Sequence, residues 1–303
     1  MFLRALDQHA ARYSLAMEIV IVEWNPPADA CPLREMLPDS RIPLRLITVP
    51  PAVHARFDNP GRVPFLQWHA KNAGIRRSRG QFILATNVDL LFSDSLCRCL
   101  AEDPLLPDAM YRANRCDVGM EFPWAVDVQE QLKHAAAHVT QRHGRNPAHP
   151  ARRASLLRRI AHRCRVGAGQ DTRDLIASVD TDGCGDFTLL PRAVWERIMG
   201  YPELPLHAHI DALACHAAVA TGAKQVVFPP ECCVYHVDHE ECWASMSLSQ
   251  RIQQSIRRPS LDWNIYRDAV RLMYEVRAPL SISTAHWGCA DIELPEALLQ
   301  EAR

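Results

Sequence analysis

Lysine is nearly missing from this chain of 303 residues: it stands only at positions 71, 133 and 224, and arginine supplies the other strongly basic side chains. We read that bias as one of genome composition, not of function. An excess of charge of one sign is missing too. The formal net charge is −1, so no bulk field favours nucleic acid. There is no run of about 18 apolar residues, so no transmembrane helix is expected, which leaves only peripheral contact with a membrane open. Met1 to Tyr13 contain Arg4, Asp7, His9 and Arg12 and do not read as a signal peptide. The eleven cysteines are odd in number and scattered, which predicts reduced thiols in a cytoplasmic protein rather than a disulfide framework. What is present is 48% hydrophobic residues, enough at this length for one large core or two unequal ones.

The apolar residues fall into alternating units. Leu3 to Leu15 has helical spacing and leads into a buried strand, Glu18 to Trp24, stopped by Asn25-Pro26-Pro27. A second strand, Leu44 to Val49, ends at Pro50-Pro51, and Gln67 to Arg77 reads as a helix closed by Gly80. A further strand begins at Gln81, another at Phe187, and a helix covers Ala193 to Met199. Such alternation predicts an α/β fold with a mostly parallel sheet flanked by helices. Leu248 to Ile256 and Leu261 to Val276 read as helices, the second with Trp263, Tyr266, Val270 and Met273 on one packing stripe. The organisation expected is a catalytic domain over 1–245 and a helical extension over 246–303. Within the first, 129–180 carries many His and Arg residues. It reads either as a mobile basic flap over an anionic ligand or as a solvated surface insertion.

The run from Gln81 to Phe92 has only Thr86, Asn87 and Asp89 as polar groups beyond its first residue, clustered where the strand should end. Ligands bind at such strand ends in α/β sheets, and an Asp there suits a hard divalent cation against a diphosphate. The same residues also suit a plain strand-terminating turn. Asp211 opens a helical pattern that runs to Gly222. A carboxylate in a first turn stays ionised in the helix dipole, as a general base requires. Arg112 and Arg115 read equally as diphosphate contacts or as members of surface ion pairs.

The ordered segments KNAGIRRSRGQFILATNVDLLFSD, GDFTLLPRAVWERIMGYPE and HIDALACHAAVATGAKQVVFPPECCVYHVDH resemble a GT-A fold glycosyltransferase of the family 2 type, over roughly residues 15 to 240. The resemblance implies a Rossmann-like sheet and transfer of a sugar from a nucleotide-diphosphate donor to a hydroxyl acceptor on a glycan, lipid or small molecule. It implies Mn²⁺ or Mg²⁺ bound by Asp89, with His236 as a further ligand, assisting departure of the nucleoside diphosphate. Asn72, Gly74 and Gly80 match the helix that precedes the metal strand, and Asn72 is expected near the nucleotide-sugar. Asn87 replaces the first Asp of the usual motif and would contact ribose or a metal-bound water. Glu23 would bind the base, while Asp186 and Glu203 would line the acceptor side; on its charge alone, Arg115 is set among the nucleotide-sugar contacts. Asp211 would deprotonate the acceptor hydroxyl in an inverting reaction. The family fold also begins with a strand that cradles the base, whereas this sequence opens in the helix that follows it. A start upstream of Met1 is therefore expected; without that strand a sheet position would stay unpaired.

Two other readings compete. One is a degenerate, non-catalytic binder of sugar nucleotides or glycans, which Asn87 and the leading helix suggest. The other is a zinc-stabilised interaction module built on Cys232, Cys233, His236, His239 and Cys242, although their spacing lacks the paired arms usual for zinc.

Overall fold

The computed structural model describes residues 1–57, 63–144, 171–238, 246–257, 259–280 and 282–300. The chain opens with α1 (Phe2–Tyr13), β1 (Ile19–Trp24), α2 (Leu33–Met36), β2 (Leu44–Val49), α3 (Pro51–His54) and α4 (Gln67–Arg77). There follow β3 (Phe82–Thr86), β4 (Leu90–Phe92), α5 (Asp94–Glu102), β5 (Ala109–Arg112), β6 (Asn114–Val118), α6 (Val128–Ala137) and β7 (Val139–His143). Next come α7 (Thr172–Ser178), β8 (Phe187–Pro191), α8 (Arg192–Ile198), α9 (Ile210–Ala220), β9 (Lys224–Val227) and β10 (Cys233–Val237). The chain closes with α10 (Leu248–Arg257), α11 (Trp263–Val276) and β11 (Glu296–Gln300). Among the described residues no helix is long and apolar enough to cross a membrane.

The α/β class holds, but the sheets are mixed rather than mostly parallel. Their strand orders are β1-β2-β11, β4-β10-β6-β7 and β3-β8-β5-β9. Parallel pairing joins β1 to β2, β10 to β6 and β5 to β9, and every other pairing is antiparallel. The reason lies in connections that alternation alone does not report. β8 comes back beside β3 in the opposite direction, and β7 folds back on β6 after α6.

The C-terminal segment also departs from a purely helical extension. α11 buries Tyr266, Val270 and Met273 in the same cluster as α9, as its stripe predicts, but β11 then adds to the edge of β2. Buried Arg45 staples it there: its Nε and Nη2 donate to the two Glu296 carboxylate oxygens at 2.7 and 3.0 Å, and its Nη1 to Glu18 at 3.1 Å. The 129–180 stretch is described only at its two ends. Its ends form α6, β7 and α7, while His149, Arg152, Arg153, Arg158, Arg159, His162, Arg163 and Arg165 lie outside the described residues.

Candidate functional site

Strand alternation builds a polar wall on the β4-β10-β6-β7 sheet. In register, His236 of β10 lies opposite Asp117 of β6, and Arg115 of β6 opposite His143 of β7. Side chains two residues apart share a face, so Arg115, Asp117, His143, His236 and Asp238 point one way. Cys116, Val118, Cys233, Tyr235 and Val237 point the other way, into an apolar cluster with α6. The polar face opens on a cavity of about 2800 Å³, which Asn87, Asp89, Lys71, Asp186 and Asp211 also line.

Arg115 is the hub of the wall. Its Nε donates to Asp117 Oδ1 at 2.6 Å, its Nη1 to Asp186 Oδ2 at 2.9 Å and its Nη2 to His236 Nδ1 at 3.1 Å. A guanidinium only donates, so neutral His236 accepts at Nδ1 and carries its proton on Nε2, 3.2 Å from Asp89 Oδ2. Burial is the largest influence and works against a charged His236, but the bond to Asp89 together with the charges of Asp89 and Asp186 outweighs it, and the pKa lies above its ordinary value. Burial likewise opposes the charge on Asp117, yet Arg115 and His143, the latter at 2.7 Å, hold its pKa below the usual carboxylate range.

Asn87 is held inside this network. Its amide donates to Asp186 Oδ1 at 2.6 Å and its carbonyl accepts from Gln67 at 3.4 Å, so it aims Asp186 at Arg115. Thr86, the last residue of β3, donates to the Asp186 carbonyl at 2.7 Å.

A second centre lies at the Gly185 peptide. A Cβ there would sit 3.1 Å from Asp211 Oδ2, so a side chain at this position would crowd the Asp211 carboxylate in the first turn of α9. Lys71 Nζ donates to the Gly185 carbonyl at 2.5 Å. Desolvation pulls Lys71 down to a pKa of about 8, against the opposing pull of Asp186, Asp211 and Asp89.

The donor set fits a hard divalent cation. Ligand atoms of Asp117, His236 and Asp238 lie within 4.8 Å of one another, and Asp89 stands on the other side of the His236 ring. Carboxylate oxygens with one imidazole suit Mn²⁺ or Mg²⁺ better than a thiolate-preferring metal. The His236 Nδ1 that faces Asp117 and Asp238 is also the atom that receives Arg115, so an ion and Arg115 compete for it.

Of the residues singled out in the sequence, Asn87, Asp89, Arg115, Asp186, Asp211 and His236 line one cavity. Asn72, Glu203 and Glu23 are not brought there. Asn72 is fully buried; it donates to Tyr201 O at 2.9 Å and to Glu203 Oε1 at 3.0 Å and accepts from the Tyr201 amide at 2.8 Å. Glu203 accepts again from the Gly288 amide at 2.7 Å, and its pKa is raised by burial. Glu23 turns to Thr48 Oγ1 at 3.4 Å and the Leu33 amide at 3.3 Å. Asn72 and Glu203 thus clamp the backbone at Tyr201 and Gly288, and Glu23 lies outside the cavity lining. Arg112 points inward to Asp182 O and Thr188, leaving Arg115 to the cavity. The proposed zinc group does not converge either: Cys232 meets Cys99 at 3.3 Å between sulfurs, Cys233 packs with Cys116 on the opposite face, and His239 and Cys242 lie outside the described residues.

Lys71, Asp117 and Asp238 were not foreseen as site residues. The signal for the two carboxylates is present, since Arg115-Cys116-Asp117 and His236-Val237-Asp238 both alternate polar and apolar. No protein-family model matches the chain, and no curated protein matches it, so the site's own chemistry has to support the function.

Proposed function

We propose that the chain is a transferase whose cavity takes a diphosphate donor and a divalent cation at one end and a nucleophile at the other. The particular reaction proposed is inverting transfer of a sugar from a nucleotide-diphosphate donor to a hydroxyl acceptor, within the GT-A class that the sequence resembles. The observation that carries this reading is that one cavity joins two separate carboxylate centres. Ligand atoms of Asp117, His236 and Asp238 gather on one side of the His236 ring with Asp89 on the other, and Asp211 stands apart from them at a helix N-terminus beside Gly185.

Asp89 and His236 would hold Mn²⁺ or Mg²⁺, with Asp117 and Asp238 beside the other ring nitrogen of His236; when bound, the ion supplies Lewis-acid neutralisation of the leaving diphosphate. Asp211 takes the proton from the acceptor hydroxyl as its oxygen forms the new bond to the anomeric carbon, and the bond to the diphosphate breaks on the opposite face. Lys71 holds the Gly185 carbonyl and so fixes the backbone against which Asp211 rests. Arg115 orients Asp186 and Asp117. Asp211→Asn is expected to lower transfer by about two orders of magnitude or more while donor binding, read by calorimetry, persists. Full transfer by that variant removes Asp211 as the base.

One observation favours a second reading, a binder of sugar nucleotides without catalysis. Arg115 already neutralises the ion-binding group by bridging Asp117, Asp186 and His236. On that reading the wild-type chain binds donor equally with and without Mn²⁺, whereas Arg115→Met gains Mn²⁺ binding. On the transferase reading, donor binding by the wild type already depends on Mn²⁺.

A further inference from the structure

The C-terminal segment walls the nucleophile end of the cavity. The loop that leads to Asp211 is tied to the start of α11. The His207 amide donates to Pro259 O at 2.6 Å, the Leu261 amide donates to Ala208 O at 3.4 Å, and Ala208 bridges Ser260 in parallel. On the loop's other side Trp68 Nε1 donates to Leu206 O at 2.8 Å. Held from both sides, His209 takes a φ of 71°. That region is uncommon for His and persists only where the surroundings impose it. The loop is therefore set, and it sets Asp211 just beyond it.

Trp263 stands against this loop. Its spacing puts it on one stripe with Tyr266, Val270 and Met273, but the stripe divides: Tyr266 is 2% exposed and Trp263 51%. The Trp263 indole lines the cavity together with Tyr266, His209 and Asp211. It is also held in place. Tyr266 stacks on it with ring centroids 5.1 Å apart, and His209 meets it at 5.8 Å in an edge contact. The Asp262 carboxylate caps α11 by accepting from the Asn264 and Ile265 amides at 2.8 and 3.2 Å, which fixes the backbone at Trp263. A half-exposed indole backed by a buried ring offers one flat apolar surface and loses little freedom when that surface is covered.

The neighbours of that surface select its occupant. A pyranose has an apolar C–H face and a rim of hydroxyls. The indole matches the face, and the Asp211 carboxylate and the His209 imidazole match the rim. Against a lipid chain the same carboxylate and imidazole would stay unmatched. A nucleobase brings its ribose and diphosphate with it, which the reading above seats at Asp89 and His236. We propose that Trp263 is the stacking platform of an acceptor subsite and that the acceptor is a sugar, whose ring lies on the indole and presents a hydroxyl to Asp211. This names the acceptor class for the transfer proposed above and rests on that reading.

Saturation-transfer NMR on the full chain tests the platform, with methyl glycosides of glucose, galactose, mannose and N-acetylglucosamine as probes. At least one glycoside should take up saturation, most strongly at the ring protons of one face. Its affinity should fall about tenfold in Trp263→Ala and stay within about threefold of wild type in Trp263→Phe. Both variants should melt near the wild-type temperature, because the indole is half in solvent. Saturation of no glycoside, or saturation that Trp263→Ala leaves unchanged, overturns the proposal. Transfer that depends on Trp263 but goes to free nucleosides or to a prenyl phosphate, and not to glycosides, assigns the indole to a base or a lipid and also overturns it. Donor calorimetry on wild type with Mn²⁺ reads the transferase reading separately. Glycosides that fail beside intact donor binding remove only the sugar acceptor. Donors that fail beside intact glycoside binding remove the transfer and leave a sugar-binding surface.

Discussion

Lys71 shows how a single residue reports on the site. Its ammonium is desolvated against the Gly185 carbonyl, and its pKa falls from 10.5 to about 8. Below pH 8 the folded and unfolded chains both carry the proton, and keeping it desolvated destabilises the fold. Between pH 8 and 10.5 the unfolded chain binds more protons, so this contribution to stability rises with pH. The melting temperature of wild type should therefore climb relative to Lys71→Met across that window. A relative fall would place Lys71 in a solvated or strongly paired setting instead. Gly200 makes a second residue-scale case. Its φ is 69°, and a Cβ there would lie 2.2 Å from Asn72 Oδ1, the atom that accepts from the Tyr201 amide. Gly200→Ala should destabilise by about 2 kcal/mol or more in urea unfolding, by strain and by loss of the Asn72 clamp. A near-neutral result would mean that the clamp adds little.

At the scale of elements, Ser93 ties α5, which follows β4, to the strand that carries His236. Its hydroxyl caps α5 by accepting from the Leu96 amide at 3.2 Å; it also accepts from the Cys233 amide at 3.0 Å and donates to Glu231 O at 2.9 Å. Ser93→Ala leaves a buried amide and a carbonyl unmatched as well as removing a cap. It should cost about 2–3 kcal/mol in denaturant unfolding, against about 1 for an ordinary cap. A loss no greater than an ordinary cap would show that solvent satisfies those groups. Element bounds were largely legible: β2 and α4 fall on the residues that punctuation by proline and glycine predicts. The single run from Gln81 divides at Asn87 to Asp89 into β3 and β4, which join different sheets. Pairing direction was not legible, because the Val-, Leu- and Phe-rich segments of β8 and β11 read alike whether their neighbours run parallel or antiparallel.

Over the whole molecule, three mixed sheets bring a polar sheet face and a glycine-bounded helix start onto one cavity. Six of the nine residues singled out from the sequence meet there, since strand ends and a helix start are local features that a sequence displays. Asn72, Glu203 and Glu23 do not, because the atoms that occupy them come from Tyr201, Gly288, Thr48 and Leu33, and no local pattern announces those contacts. Asp117 and Asp238 join the site only through the register of β6 on β10. The central claim is that this cavity binds a nucleotide-diphosphate sugar through a divalent cation at Asp89. Its most direct measurement is calorimetric titration of a panel of such donors with and without Mn²⁺, on wild type and on Asp89→Asn. The expected result is a donor that binds wild type only with Mn²⁺, and about tenfold or more weaker binding by the variant. Donor binding that is indifferent to both Mn²⁺ and Asp89 would contradict it.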